Sequence, residues 1–184
     1  MMRWIIHIGL LASLTIAAHA ATASVGGPFQ LVDQDGRAVT ERTYRGRPLL
    51  MYFGFTSCPD ICPVDLAKIA SVTKSVRAQT GIEVTPVFVT VDPERDTPER
   101  MKAYVRAFSP SAVGLTGSPA QIATVTEAYH VYFRKVPTEA GYLLDHSTVL
   151  YLIGPDGSFL AHYGRKLPEQ EVVSRIAQTL QARR

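Results

Sequence analysis

Two apolar runs, at residues 49–53 and 84–91, constrain the fold of this chain more than any other feature. The first is apolar throughout and the second is rich in β-branched residues, so both read as strands covered on two faces. Between them the period changes. Cys62, Leu66, Ile69 and Val76 fall near one helical stripe, and Gly81 is placed to stop it. Buried strand, amphipathic helix, buried strand is a βαβ unit, which commits the chain to an α/β architecture.

The rest of the chain extends the alternation. Gln34-Asp35-Gly36 is a turn between two short extended pieces. Thr97-Pro98 supplies a cap followed by proline, and Met101, Tyr104, Val105 and Phe108 recur at i, i+3, i+4 and i+7, predicting a second helix. Ser118-Pro119-Ala120-Gln121 has the form of a capping box, opening a third helix through Tyr129. Residues 148–153 and 159–163 flank Gly154-Pro155-Asp156-Gly157, a strong hairpin signal, and Val172, Val173, Ile176 and Leu180 place an amphipathic helix at the end. The expected order is strand, helix, strand, helix, helix, hairpin, helix. That order predicts a thioredoxin-like α/β fold: a central mixed sheet flanked by helices, ending in a β-hairpin and a helix.

Composition removes other classes. With 184 residues the chain is one domain of ordinary size. Nineteen basic against sixteen acidic residues give a charge of +3, too mild and dispersed for a nucleic-acid protein. Two cysteines are too few for a disulfide-built scaffold. The small charge and the tidy amphipathic pattern are compatible with a monomer.

Residues 1–20 carry Arg3, an apolar run from Trp4 to Ala18, and Ala18-His19-Ala20 at the end. A positive charge, a short apolar stretch and small residues at a cleavage site form a secretory signal, with an uncleaved membrane anchor as the alternative. The run is shorter than the roughly 20 residues of a spanning helix and is interrupted by His7. The functional domain is then residues 21–184, working in the periplasm or another exported setting. Bare thiols are normally oxidised there, so a surviving pair needs a reason.

The chemistry concentrates in Cys58-Pro59-Asp60-Ile61-Cys62-Pro63, where the first buried strand feeds the helix. Open α/β sheets place their sites at such positions. Cysteines four apart on a helix stand about 6 Å apart along its axis, near the upper reach of a disulfide. A helix N-terminus also stabilises thiolate. Redox exchange, metal binding or both follow. A merely structural disulfide would close so short a loop that it restricts the unfolded chain little.

Metal binding needs a further ligand. His162 falls in the hairpin and His130 follows a helix, positions that suit surface or packing roles. His146 lies in Tyr142-Leu143-Leu144-Asp145-His146-Ser147, read as a loop leading into a strand. In a thioredoxin-like fold that loop lies beside the helix carrying the cysteines. Two thiolates and one imidazole form a soft set that suits copper(I), or copper(II) with an added ligand. Structural zinc takes four protein ligands and fits less well.

These motifs resemble those of the SCO/SenC family of copper-binding, thioredoxin-fold proteins involved in cytochrome c oxidase assembly. The resemblance covers nearly all of residues 21–184. It runs from Gly27-Pro28-Phe29 with Leu31 and Asp33, through Tyr52-Phe53-Gly54-Phe55-Thr56 and the cysteine segment. It continues through Val91-Asp92-Pro93-Glu94-Arg95-Asp96-Thr97-Pro98-Glu99 and Gly114-Leu115-Thr116-Gly117 to Asp145-His146-Ser147. A CxxxC alone is weakly specific; these segments in this order are highly specific. The resemblance implies copper ligands at Cys58, Cys62 and His146. Ser57 stands before the first cysteine, where many members carry a larger residue. Asp92 and Asp96 belong to the family motif, but their physical reading is to cap the loop and helix after the second strand. Asp145, beside His146, would orient its imidazole only if the two side chains shared a side, and adjacent side chains often point apart.

The resemblance further implies an exported copper metallochaperone, a binding and transfer protein more than a turnover enzyme. It would receive copper from a donor chaperone and pass it toward the binuclear site of cytochrome c oxidase subunit II or another exported copper protein. The competing reading is a thiol–disulfide oxidoreductase that reduces the cysteines of that site, with Cys58 and Cys62 as the redox pair and His146 of little weight. A peroxidase would need a strongly activated cysteine, and no arginine is evidently placed to activate one.

Overall fold

The computed structural model describes residues 25–139 and 141–183. The predicted leader at residues 1–20 lies outside them. The βαβ unit forms as its pattern demands. Strand β3 (Leu49–Gly54) and strand β4 (Thr85–Thr90) pair in parallel, Leu49 opposite Thr85 and Gly54 opposite Thr90, with α1 (Ile61–Thr80) crossing between them. Every residue of both strands is buried. Cys62, Leu66, Ile69 and Val76 form the buried stripe of α1, and Gly81 ends the helix with φ of 71°, where a side chain would be strained.

The sheet grows outward on both sides of this pair. The turn at residues 34–36 joins β1 (Gln30–Asp33) to β2 (Ala38–Thr40), and the predicted hairpin forms as β8 (Val149–Ile153) and β9 (Phe159–Gly164). Between α2 (Pro98–Arg106) and α3 (Pro119–Ala128) the chain inserts β5 (Val113–Thr116), which the sequence order omitted. The result is a seven-stranded mixed sheet in the order β2-β1-β5-β4-β3-β8-β9, with β3 and β4 near its centre.

Helix starts follow the predicted caps. Thr97 accepts from the Arg100 N–H to open α2, and Ser118 with Gln121 completes a reciprocal capping box on α3. Helix α4 (Glu169–Gln181) buries Val172, Val173, Ile176 and Leu180. It is tied to α1 through Ser71, which donates to Glu169 at 2.5 Å.

A second expectation is also corrected. Residues 142–147, read as a loop, belong mostly to a strand: β6 (Phe133–Thr138) and β7 (Gly141–His146) form a separate two-stranded sheet with Phe133 opposite His146. Along β7 the side chains alternate. Tyr142, Leu144 and His146 turn inward, Leu144 being buried, whereas Leu143 is exposed and Asp145 lies on the open face.

Candidate metal centre

Three elements deliver the three predicted ligands. Cys58 sits in the connection after β3, where its N–H donates to the Phe55 carbonyl at 3.2 Å. Cys62 is the second residue of α1 and Cys58 precedes the helix, so the condition for a one-turn spacing, both cysteines on the helix, is not met. Instead, the Cys62 N–H donates to Cys58 Sγ at 3.4 Å. Asp60 occupies the N-cap position without a side-chain cap bond, and the sulphur of Cys58 takes that role by satisfying one of the helix's free N–H groups.

His146 closes the group from the end of β7. Its Nε2 lies 3.5 Å from Cys62 Sγ, and its Nδ1 lies 3.0 Å from the Ser147 carbonyl oxygen. A carbonyl only accepts, so this contact assigns the proton to Nδ1 and leaves the Nε2 lone pair facing the sulphurs. Phe55 and Tyr52 hold the ring edge to face, with centroids at 5.8 and 6.2 Å. The ligand atoms of Cys58, Cys62 and His146 all lie within 4.8 Å of one another, the only such group among the described residues.

Burial sets the protonation of the group. It pushes the Cys62 thiol well above its ordinary value, so at neutral pH the sulphur carries its proton. It also lowers His146 below the usual imidazole value, despite the opposing bond to the Ser147 carbonyl, so the ring is neutral at pH 7. A metal arriving here finds a lone pair ready on His146 and must displace a proton from Cys62. Each ligand atom would stand about 2.0–2.3 Å from a bound ion, and atoms separated by up to 4.8 Å meet that requirement with small adjustment. The set has three members, two of them soft sulphurs, which fits copper(I) and, with one added ligand, copper(II).

Other predicted residues take different places. Asp145 does not hold the imidazole by a hydrogen bond; the Ser147 carbonyl does, and Asp145 faces Arg134 at 3.7 Å on the outer face of the hairpin. His130 and His162 are exposed, the latter stacked on Phe159 with ring centroids 6.1 Å apart. Asp96 is fully buried and is not the cap of α2. Its carboxylate accepts from the Thr56 N–H at 3.0 Å, the Thr56 hydroxyl at 2.5 Å and the Thr90 hydroxyl at 2.6 Å. It thereby fastens the cysteine connection to β4. Asp92 does bind the loop it was assigned to: its carboxylate pairs with Arg95. It also accepts from Tyr142 Oη at 2.8 Å, which no spacing rule announced.

Five further residues shape the site. Gly54 leaves room for Cys62 Sγ, which would stand 2.8 Å from any Cβ at that position. Tyr52, whose ring meets His146 edge to face, donates its hydroxyl to Asp65 at 2.9 Å, and Arg165 reaches the same carboxylate at 3.3 Å. Arg100 donates to the hydroxyls of Thr56 at 2.6 Å and Ser57 at 2.7 Å. An arginine therefore does come near Cys58, taken up by the two hydroxyls that precede it. Tyr52 and Gly54 lay inside a quoted motif on a buried strand; Asp65, Arg100 and Arg165 carried no such signal.

A family model described as SCO1/SenC matches residues 17–181. The chain is 46% identical over 147 residues to the Arabidopsis thaliana mitochondrial protein SCO1 homolog 1, covering 79% of this chain and 44% of that protein. It is 42% identical over 162 residues to the human mitochondrial protein SCO1 homolog, covering 86% of this chain and 54% of that protein. The chain thus spans about half the length of these curated relatives. Among solved structures, Arabidopsis thaliana ScoI with copper bound aligns with a TM-score of 0.85 at 41% identity, covering 86% of this chain and 99% of that one. Bradyrhizobium japonicum ScoI with copper bound aligns with a TM-score of 0.76 at 42% identity, covering 85% and 100%.

Proposed function

The chain belongs to the SCO1/SenC family, and from that premise we propose that it is a copper-binding assembly protein for cytochrome c oxidase. Cys58, Cys62 and His146 are the proposed ligands, and copper is the cargo they hold. The observation that carries this reading is the meeting of all three ligand atoms within 4.8 Å, drawn from positions up to 88 residues apart in a set this soft. The wider proposal is an exported or membrane-facing chaperone that takes copper from a donor and delivers it to the binuclear site of oxidase subunit II or to another exported copper protein. Among the described residues no helix is long and apolar enough to cross a membrane.

Copper titration of the reduced protein, followed by visible absorption, tests the ligand set. A one-to-one complex with thiolate-to-copper(II) bands is expected. It is lost in Cys58→Ser/Cys62→Ser and weakened about tenfold or more in His146→Ala. Unchanged affinity in His146→Ala removes that residue from the ligand set.

A second reading has its own observation. Both cysteines are free thiols, Cys58 half-buried and Cys62 fully buried behind it. That asymmetry suits a reductase in which Cys58 attacks a partner's disulfide and Cys62 resolves the mixed disulfide. Two thiols leave the partner's bond and a Cys58–Cys62 disulfide forms, so the electrons balance. Disulfide exchange that proceeds unaltered in His146→Ala, with no copper retained by the parent protein, favours this reading over the first.

A further inference from the structure

The two sulphurs rest on α1 and the connection before it, but His146 arrives on a hairpin that shares no ladder with the main sheet. A two-stranded hairpin is marginal in water unless something else holds it. One end of this one is closed by Ser147, whose N–H donates to the Tyr132 carbonyl at 2.9 Å and whose hydroxyl accepts from the Tyr132 N–H at 3.0 Å. The other end is gripped by the connection between β4 and α2. There the Tyr142 hydroxyl donates to Asp92 at 2.8 Å, and Arg95 Nη1 donates to the Tyr142 carbonyl at 3.1 Å. The guanidinium of Arg95 lies 3.9 Å from the centroid of the Tyr142 ring, and Arg95 itself pairs with Asp92.

These contacts differ from surface ion pairs in one respect: Asp92 is 2% exposed. A hydrogen bond to a buried carboxylate is among the stronger polar contacts a protein makes. At the rim, Glu94 and Lys135 add a pair at 2.7 Å, with the Lys135 ammonium 4.5 Å from the same ring. Arg95 also stands 5.9 Å from the centroid of Phe55, the ring that abuts His146. Tyr142 and His146 share the inward face of β7, four residues or about 13 Å apart along one strand, with buried Leu144 between them. A grip on Tyr142 thus acts on the same strand face that carries His146.

We propose that Asp92, Arg95 and Tyr142 form a latch whose task is to hold His146 against the two sulphurs, which makes them positioning residues for the third copper ligand. The inference rests on His146 being a ligand. When the latch is engaged the site presents three donors; when it is released the hairpin swings and leaves a two-sulphur site. Copper(II) depends on the imidazole more than copper(I) does, because two thiolates alone satisfy copper(I) but not copper(II). The latch thus acts chiefly on copper(II).

The test is a double-mutant cycle on the full reduced protein with copper(II) as the probe. Tyr142→Phe keeps the ring under Arg95 and deletes the bond to Asp92. We expect about tenfold weaker copper(II) binding in the parent, less than twofold change in a His146→Ala background, and loss of histidine-nitrogen coupling in the electron paramagnetic resonance spectrum. Glu94→Gln, on the exposed rim where folding is not at stake, should act in the same sense by about threefold and also vanish in His146→Ala. Equal weakening in both backgrounds would mean general loosening and overturn the latch. So would unchanged affinity for both variants while His146→Ala weakens binding. If His146→Ala alone changes nothing, the ligand assignment fails first and the latch with it.

Discussion

A methyl group at position 54 would stand 2.8 Å from Cys62 Sγ and 2.8 Å from Cε2 of Phe88. Neither neighbour has room to yield, since both side chains are fully buried. Gly54→Ala must therefore push the sulphur off its position or break the packing of Phe88. The expected outcome is a loss of about 1–3 kcal/mol in unfolding free energy and about tenfold weaker copper binding. Gly164→Ala, with nothing within 4 Å of the added carbon, is the matched control and should leave copper binding intact. Equal copper affinity in the two variants would show that Cys62 tolerates displacement. The proposed ligands Cys58 and Cys62 stand out in the sequence because cysteine is rare here and its segment follows a buried strand. Gly54 is less legible in its role: what excludes a side chain there is a sulphur eight residues later, and only the folded helix brings it back.

At the scale of elements, Asp96 joins pieces that sequence order keeps apart. Thr56 belongs to the connection before α1, Thr90 ends β4, and both donate to its carboxylate; the Thr116 hydroxyl at the end of β5 donates to its backbone carbonyl at 2.8 Å. Asp96→Asn keeps the shape but turns an NH2 group toward donors that need an acceptor. The expected cost is about 2–4 kcal/mol in urea unfolding with an unchanged slope. A change under 0.5 kcal/mol would show that the connection is fixed by packing alone. The same elements show what patterning can and cannot reveal. Strands β3 and β4 and the caps of α2 and α3 are readable because burial on two faces and capping chemistry are local signals. Strand β5 escapes because it has four residues, one of them Gly114, and gains its place only by pairing with β4 and β1. The β6–β7 hairpin escapes because Arg134, Lys135 and Pro137 read as solvent-facing chain. Its alternation of Tyr142, Leu144 and His146 was the available clue.

For the whole molecule, the burial of several tyrosines predicts a loss of stability at alkaline pH. Tyr129 lies beside β3 and β8, its ring 5.5 Å from Phe53 and 5.7 Å from Tyr151, and burial raises its phenol to about 12 from an ordinary 10.0. Burial likewise lifts Tyr44 to about 12, and raises Tyr52, Tyr104, Tyr151 and Tyr163. The sign follows from linkage. Above pH 10 the unfolded chain loses phenolic protons that the folded chain keeps, so the folded state binds more protons and stability falls as pH rises. Below pH 10 both states hold the proton, and the stabilisation is fully present. For Tyr129 alone the loss between pH 10 and about 12 is on the order of 2 kcal/mol. Tyr129→Phe should leave neutral-pH stability within about 1 kcal/mol. It should also make the alkaline fall in melting temperature shallower by about 5 °C over that window. Thermal unfolding of the metal-free protein at pH 8, 10, 11 and 12 measures both. An alkaline limb that stays as steep in Tyr129→Phe would place the sensitivity in the other buried phenols, and serial Tyr→Phe changes at 44, 151 and 163 would then locate it.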